Sequence, residues 1–218
     1  MNKPSQMPVA TRPSSPASRI AGVILAGGQS QRMGGGDKCL LDLDGAPILS
    51  HVVSRLAPQV EAVVLSANGD PARFADFGLP VVADSVDGFA GPLAGVLAGM
   101  DWAAGRGYTH IISVAADSPY FPSCLVTGLQ FACEAGDERQ SMVNSPREGD
   151  GYFRQPTFTL YDIALRENLR GALQSGVRKV IQWTEPLGCA KVVFHGFGDD
   201  PFFNINTPQD LADAKART

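Results

Sequence analysis

Five glycines and two cations fall within residues 25–38, Leu25-Ala26-Gly27-Gly28-Gln29-Ser30-Gln31-Arg32-Met33-Gly34-Gly35-Gly36-Asp37-Lys38, directly after an apolar run. Glycines without Cβ let backbone N–H groups turn toward a bound anion, and Arg32 and Lys38 add charge that amides alone cannot supply. Such a loop cradles phosphates; the alternative is a tight surface turn. Two common phosphate loops are excluded by spacing. A Walker loop needs Gly-Lys followed by Ser or Thr, whereas here Asp37 precedes Lys38 and Cys39 follows it, and no GxGxxG occurs in the chain.

Asp117 lies just past the apolar run 111–115 and before Pro119, which places it at the carboxyl end of a strand, where α/β sheets bind ligands. A carboxylate there repels a triphosphate unless Mg²⁺ intervenes, since that ion takes one or two carboxylates together with substrate phosphates and water. Its alternative role is to cap the helix expected near Pro119 or Pro122. Asp84 ends the run 79–83 in the same manner, and a turn or cap role is open for it too. Asn68 follows the strand ending near Ser66, where an amide could read a base edge or a ribose, although Asn-Gly is equally a turn signal. The run 91–99 opens a helix with glycine at every fourth position, a smooth face for another backbone or a flat base. Asn204 and Asn206 alternate on one face of an extended segment. They either help hold a metal or second substrate, or satisfy buried backbone groups. His51, His110 and His195 share no spacing, so they read as helix-face or loop residues. Trp102 and Trp183 read as packing residues.

The elements that must position these groups alternate along the chain. Residues 20–25 form a buried apolar strand. Pro47 suits the first position of a helix whose Ile48, Val52, Val53 and Leu56 recur at helical spacing until Pro58. Apolar runs at 60–65, 79–83 and 110–115 predict further strands, with helices at 71–77 and 92–104. This βαβ series implies a largely parallel sheet covered on both faces. In the second half, 152–160 and 191–195 read as strands and 122–134 and 161–174 as helices, while Thr207 caps a last helix that has Pro208 at its first position. One α/β domain with a mixed sheet is expected over 19–218. It follows a tail, residues 1–18, rich in Pro, Ser and Ala and expected to be disordered.

Size and charge agree with this outline. A chain of 218 residues suits one domain, and a net charge of −4, from 18 Lys and Arg against 22 Asp and Glu, leaves no broad basic surface for a nucleic-acid polymer or an anionic membrane. No apolar run approaches the roughly 20 residues a bilayer requires. The four cysteines lack a CxxC pair or the density of a disulfide scaffold, which favours reduced thiols and a cytoplasmic location.

Leu-Ala-Gly-Gly, Arg-Met-Gly-Gly and Asp-Lys in the loop resemble the signature of nucleotidyltransferases in the molybdenum cofactor guanylyltransferase family. Asp84-Ser85, Gly91-Pro92-Leu93-Ala94-Gly95, Asp117-Ser118-Pro119, Gln155-Pro156-Thr157 and Phe203-Asn204-Ile205-Asn206-Thr207-Pro208 extend the resemblance in the same order. It departs from the family at Ser66, often asparagine there, and at Gln155, commonly histidine. The resemblance implies a three-layer Rossmann-like domain of the nucleotide-diphospho-sugar transferase type and Mg²⁺-dependent transfer of GMP from GTP to the phosphate of molybdopterin, with or without molybdenum. It assigns Arg32, Lys38 and Asp117 to catalysis, with Asp117 as the metal ligand. Nucleotide contacts fall to Leu25, Ala26, Gly27, Gly28, Lys38, Ser66, Asn68, Asp84, Pro92, Leu93 and Asp117. Gln155, Pro156 and Thr157 border the acceptor, with Asn204 and Asn206 nearby. The implied reaction yields a labile product, and with it transient contacts with cofactor-delivery proteins or apo-molybdoenzymes. The alternatives are a transferase using CTP on the same pterin or a nucleotide on a sugar phosphate, and a noncatalytic nucleotide sensor or delivery adaptor.

Overall fold

The computed structural model of the protein describes residues 18–27, 37–86, 91–146, 151–197 and 200–217. The expected tail up to residue 17, and with it Gly28 and Arg32 of the loop, lies outside the described residues.

Strand β1 (Ile20–Leu25) sits at the centre because its side chains are apolar on both faces: Ile20 and Ile24 enter one core, Ala21 and Val23 the other. After it comes a small ribbon of β2 (Asp42–Leu43) and β3 (Ala46–Pro47), closed by Asp44 and Gly45 at φ 54° and 84°. Asp-Gly suits that hairpin turn because both positions need left-handed backbone. The main sheet adds β4 (Ala62–Ser66), β5 (Val81–Val82), β6 (His110–Ala115), β7 (Gln140–Pro146), β8 (Tyr152–Asp162) and β9 (Ala190–Val193), in the order β5-β4-β1-β6-β8-β7-β9. β8 alone runs against its neighbours β6 and β7; the other strands are parallel to one another. The chain steps outward from β1 to β4 and β5, then returns to β6 on the opposite side of β1. That reversal opens a crevice at the carboxyl ends of β1 and β6.

Helices α1 (Ile48–Leu56) and α3 (Leu125–Gly136) cover one face, while α2 (Pro92–Ala104), α4 (Arg166–Gln174) and the short α5 (Val180–Thr184) cover the other. The last helix, α6 (Pro208–Lys215), closes a small third cluster in which Ala214 packs with Leu43, Ile48 and Ile205. Thr207 caps it as expected, and the cap is a full box: the Thr207 hydroxyl accepts from Asp210 N, and the Asp210 carboxylate accepts from Thr207 N.

Gly95 and Gly99 make the contact between α2 and the sheet. A Cβ on Gly99 would stand 2.5 Å from Val23 Cγ2, and one on Gly95 2.6 Å from Ser66 Oγ and 2.9 Å from Leu25 Cδ2. At these two positions the smooth helix face meets strands rather than a base. We therefore expect Gly99→Val to destabilise the fold by about 1–3 kcal/mol through overpacking, seen as a lower urea midpoint at unchanged slope; an unchanged midpoint would refute the close approach.

Several boundaries moved. Pro47 caps α1 instead of starting it, because its extended backbone (ψ 143°) is already committed to β3. The segment 71–77 is a 3-10 helix capped by Asp70, which accepts from Ala72 N. The helix expected from Tyr161 begins at Arg166, since His110 pairs with Asp162 and holds β8 extended. That expected from Pro122 begins at Leu125. β7 and α5 had no expectation at all. β7 buries Gln140, Ser141 and Asn144, so it lacks an apolar run. Ser141 Oγ donates to Leu129 O, and Gln140 Nε2 donates to the carbonyls of Thr184 and Gly188, so distant segments supply bonds that let such a strand sit inside.

Candidate active site

Backbone bonds first bring the strand ends together. Ala26 N donates to Ser66 O and Ala116 N to Leu25 O, so the ends of β1, β4 and β6 are laced side by side. The glycine-rich loop leaves from Gly27 and returns at Asp37, where a 3-10 helix (Lys38–Leu40) begins.

That return delivers Lys38 into the crevice. Its Nζ lies 2.5 Å from Asp117 Oδ2 and 2.7 Å from Asn206 Oδ1. The two charged side chains retain 15% and 21% of their exposure, so the pair is sheltered yet reachable by a ligand. Asp117 follows β6 in a turn, and its carbonyl accepts from Ile205 N at 2.9 Å, which pins the segment before α6 against it. On that segment Asn204 Oδ1 accepts from the Ser118 hydroxyl. Asn204 and Asn206 thus serve side chains of the crevice, and the Asp117 carboxylate serves Lys38; α3 carries no side-chain cap bond. Asp210 secures the far end. Partial removal from water pushes its carboxyl up, but N–H donors of Asn206 and Thr207, the Thr207 hydroxyl and the Lys38 charge outweigh that and hold it below the usual carboxylate range.

A second group forms beside β4 and β5. Asn68 Nδ2 donates to Asp84 Oδ2 at 2.8 Å, and Asp84 N donates to Asn68 Oδ1 at 2.9 Å. The Asn68 amide therefore orients Asp84 through one of its two N–H donors and one lone pair of its oxygen. Ser66, 3% exposed, is wedged beneath Gly95. Pro92 is exposed at the first position of α2, whereas Leu93 is buried among the core residues. Arg73 is a residue that sequence reasoning passed over. Its Nε lies 2.6 Å from Asp37 Oδ2 and its Nη2 donates to Asn68 O at 2.5 Å. The signal available was an arginine one turn into a helix opened by Asp70-Pro71, directly after the Asn68-Gly69 turn.

On the other side of Asp117, β8 breaks its ladder with β7: Met142 faces Thr159, but Val143 faces Gln155. Residues 156–158 bulge out at that step, at the carboxyl end of β6, where Thr157 O accepts from Ser113 Oγ at 2.8 Å. Gln155 Nε2 donates to Ser145 Oγ. Gln155, Pro156 and Thr157 are all partly exposed there.

The site has one thiol nearby, Cys39. Burial pushes it up to about 12, and the charges of Asp37 and Asp117 add to the effect, so it stays protonated and is no nucleophile. Among the described residues no group of three or more His, Cys, Asp or Glu could cage a metal. A single carboxylate suits Mg²⁺, which keeps several waters and uses phosphate oxygens as its remaining ligands. Asp117, beside the asparagine amide of Asn206, fits that requirement.

An open, mostly parallel sheet whose strand order reverses at β1, with a carboxylate–lysine pair in the crevice there, is an α/β nucleotide-binding architecture. The family profile of the MobA-like NTP transferase domain matches residues 22–187. The molybdenum cofactor guanylyltransferase of Bradyrhizobium sp. (strain ORS 278) is 48% identical over 93% of this chain and 94% of its own. That of Rhodopseudomonas palustris (strain BisB5) is 46% identical over 96% of each. In fold, the molybdopterin-guanine dinucleotide biosynthesis protein A of Archaeoglobus fulgidus superposes with a TM-score of 0.69 at 21% identity, covering 90% of this chain and 97% of that one. The chain belongs to the MobA-like NTP transferase family, among its molybdenum cofactor guanylyltransferases.

Proposed function

We propose that the protein transfers GMP from GTP to the terminal phosphate of molybdopterin or the molybdenum cofactor, releasing pyrophosphate. An oxygen of the pterin phosphate attacks the α-phosphorus of GTP, a new P–O–P bond forms, the bond to the β-phosphate breaks, and its electrons leave with pyrophosphate. The observation that carries this reading is the convergence of Lys38, from the phosphate loop, with Asp117, from the turn after β6, in the crevice. The guanine donor follows the names of the relatives that share nearly half of the sequence.

The nucleophile is already ionised at neutral pH, so no general base is required and the chain's work is alignment and charge stabilisation. Lys38, with Arg32, holds the triphosphate and the departing pyrophosphate. Asp117 would hold a divalent cation, Mg²⁺, which when bound neutralises phosphate charge. Asp84, oriented by Asn68, takes the nucleoside, and Leu25, Ala26, Gly27 and Gly28 supply the start of the phosphate cradle, with Pro92 beside it. Gln155, with Pro156 and Thr157 in the bulge beside the end of β6, borders the acceptor, with Asn204 and Asn206 closing the opposite side. We place the reaction in the cytoplasm; among the described residues no helix is long and apolar enough to cross a membrane. Handover of the product to delivery proteins or apo-molybdoenzymes is part of the same proposal.

Incubation with molybdopterin, Mg²⁺ and each of GTP, CTP, ATP and UTP, with mass identification of the product, tests donor, acceptor and reaction together. We expect a guanine dinucleotide and pyrophosphate. A cytosine dinucleotide would replace the donor, and GTP binding without turnover would make the protein a sensor.

A further inference from the structure

Asp84, Asn68, Arg73 and Asp37 form an unbroken chain of polar contacts, and the next residue after Asp37 is Lys38, which reaches Asp117. The chain crosses the carboxyl edge from β5 and β4 to β1 and β6. Arg73 is the side chain in this series that touches both the nucleoside side, at Asn68, and the phosphate side, at Asp37. We propose that Arg73 is a positioning residue that fixes the distance between the nucleoside contacts and the phosphate contacts, and so sets the affinity for a whole nucleoside triphosphate. The proposal rests on the nucleotide site described above.

The guanidinium is built for such a role. It lies over the Phe74 ring, 4.8 Å from its centroid, and Phe74 is buried at 1% exposure, so the cation rests on a rigid base. Gly69 bends at φ 86°, and a Cβ there would meet Arg73 Nη1 at 2.8 Å. The turn between Asn68 and the 3-10 helix is thus shaped around the arginine. Nε and Nη2 act on different loops, a division of labour that the planar fork of arginine permits and a lysine ammonium, a point charge, reproduces less well. Because Asp37 is adjacent to Lys38, a displacement of Asp37 shifts the place of that lysine relative to the nucleoside contacts while its own approach to a phosphate is kept.

Two half-sites held at a fixed distance bind a two-part ligand with an advantage that neither half-ligand receives, since the second contact becomes intramolecular. The test is calorimetry of wild type and Arg73→Ala with GTP–Mg²⁺ and with pyrophosphate–Mg²⁺, which engages only the phosphate side. We expect GTP affinity to fall about tenfold or more, the scale of one charge-assisted hydrogen bond, while pyrophosphate affinity changes less than about threefold; Arg73→Lys should recover part of the loss. In turnover assays the loss should appear chiefly in KM for GTP. Unchanged GTP affinity would overturn the proposal, and so would an equal fall for GTP and pyrophosphate, the mark of a merely structural arginine. If wild type prefers CTP, the donor assignment fails instead, and the same comparison made with CTP still decides the role of Arg73.

Discussion

Asp117→Asn should lose Mg²⁺-dependent transfer by a factor on the order of 10²–10³, corresponding to the several kcal/mol of charge stabilisation a catalytic metal contributes. The substitution keeps the shape of the side chain and its distance to Lys38 but removes the anionic ligand. Nucleotide binding without metal separates loss of the metal from loss of the fold. Asp117 Oδ2 sits 2.5 Å from Lys38 Nζ, so in the absence of metal the carboxylate both repels phosphates and occupies the cation meant for them. With EDTA present, GTP should therefore bind Asp117→Asn at least as tightly as wild type. Calorimetry with and without Mg²⁺ reads both effects. Wild-type turnover in the variant would remove Asp117 from the metal site.

Lys38→Ala should act in the opposite sense on the two ligands. Removal of a charge-assisted contact to phosphate costs about 1.5–3 kcal/mol, so GTP affinity should fall about 10- to 100-fold and turnover with it. The metal taken alone should behave differently, because Lys38 competes with a cation for the same carboxylate oxygen. With the lysine gone, Mn²⁺ binding without nucleotide, followed by paramagnetic resonance, should become tighter than in wild type. Asn206 gives an internal control: its Oδ1 accepts from Lys38, so it loses a partner in this variant, while its backbone tie to Asp210 remains and keeps the segment before α6 in place. Unchanged GTP affinity together with unchanged turnover would exclude Lys38 from the site.

These two side chains also show what was legible in advance. Lys38 was recognisable because it closes a glycine-rich loop after a strand, and Asp117 because it ends an apolar run just before a proline; both signals are local. Their meeting spans 79 positions in the chain and depends on the reversal of strand order at β1. Asn204 and Asn206 were visible as an alternating pair but their partners were not, since Ser118 and Lys38 come from other strand ends. Arg73 left almost no trace. Its role follows from folding the 3-10 helix back so that one guanidinium touches two loops, and nothing in the spacing of Asn68 and Arg73 requires that.

By itself the sequence determined the strands β1, β4 and β6, the glycine face of α2 and the capped start of α6, because each follows from backbone freedom, apolar periodicity or a hydrogen bond within a few residues. Tertiary structure alone decided the polar strand β7, the bulge that sets residues 156–158 beside β6, the use of the Asn68 amide to hold Asp84, and the pairing of Lys38 with Asp117. Each of these is a contact between groups far apart in the chain. Its free energy depends on a distance and an exclusion of water that exist only once the sheet has assembled.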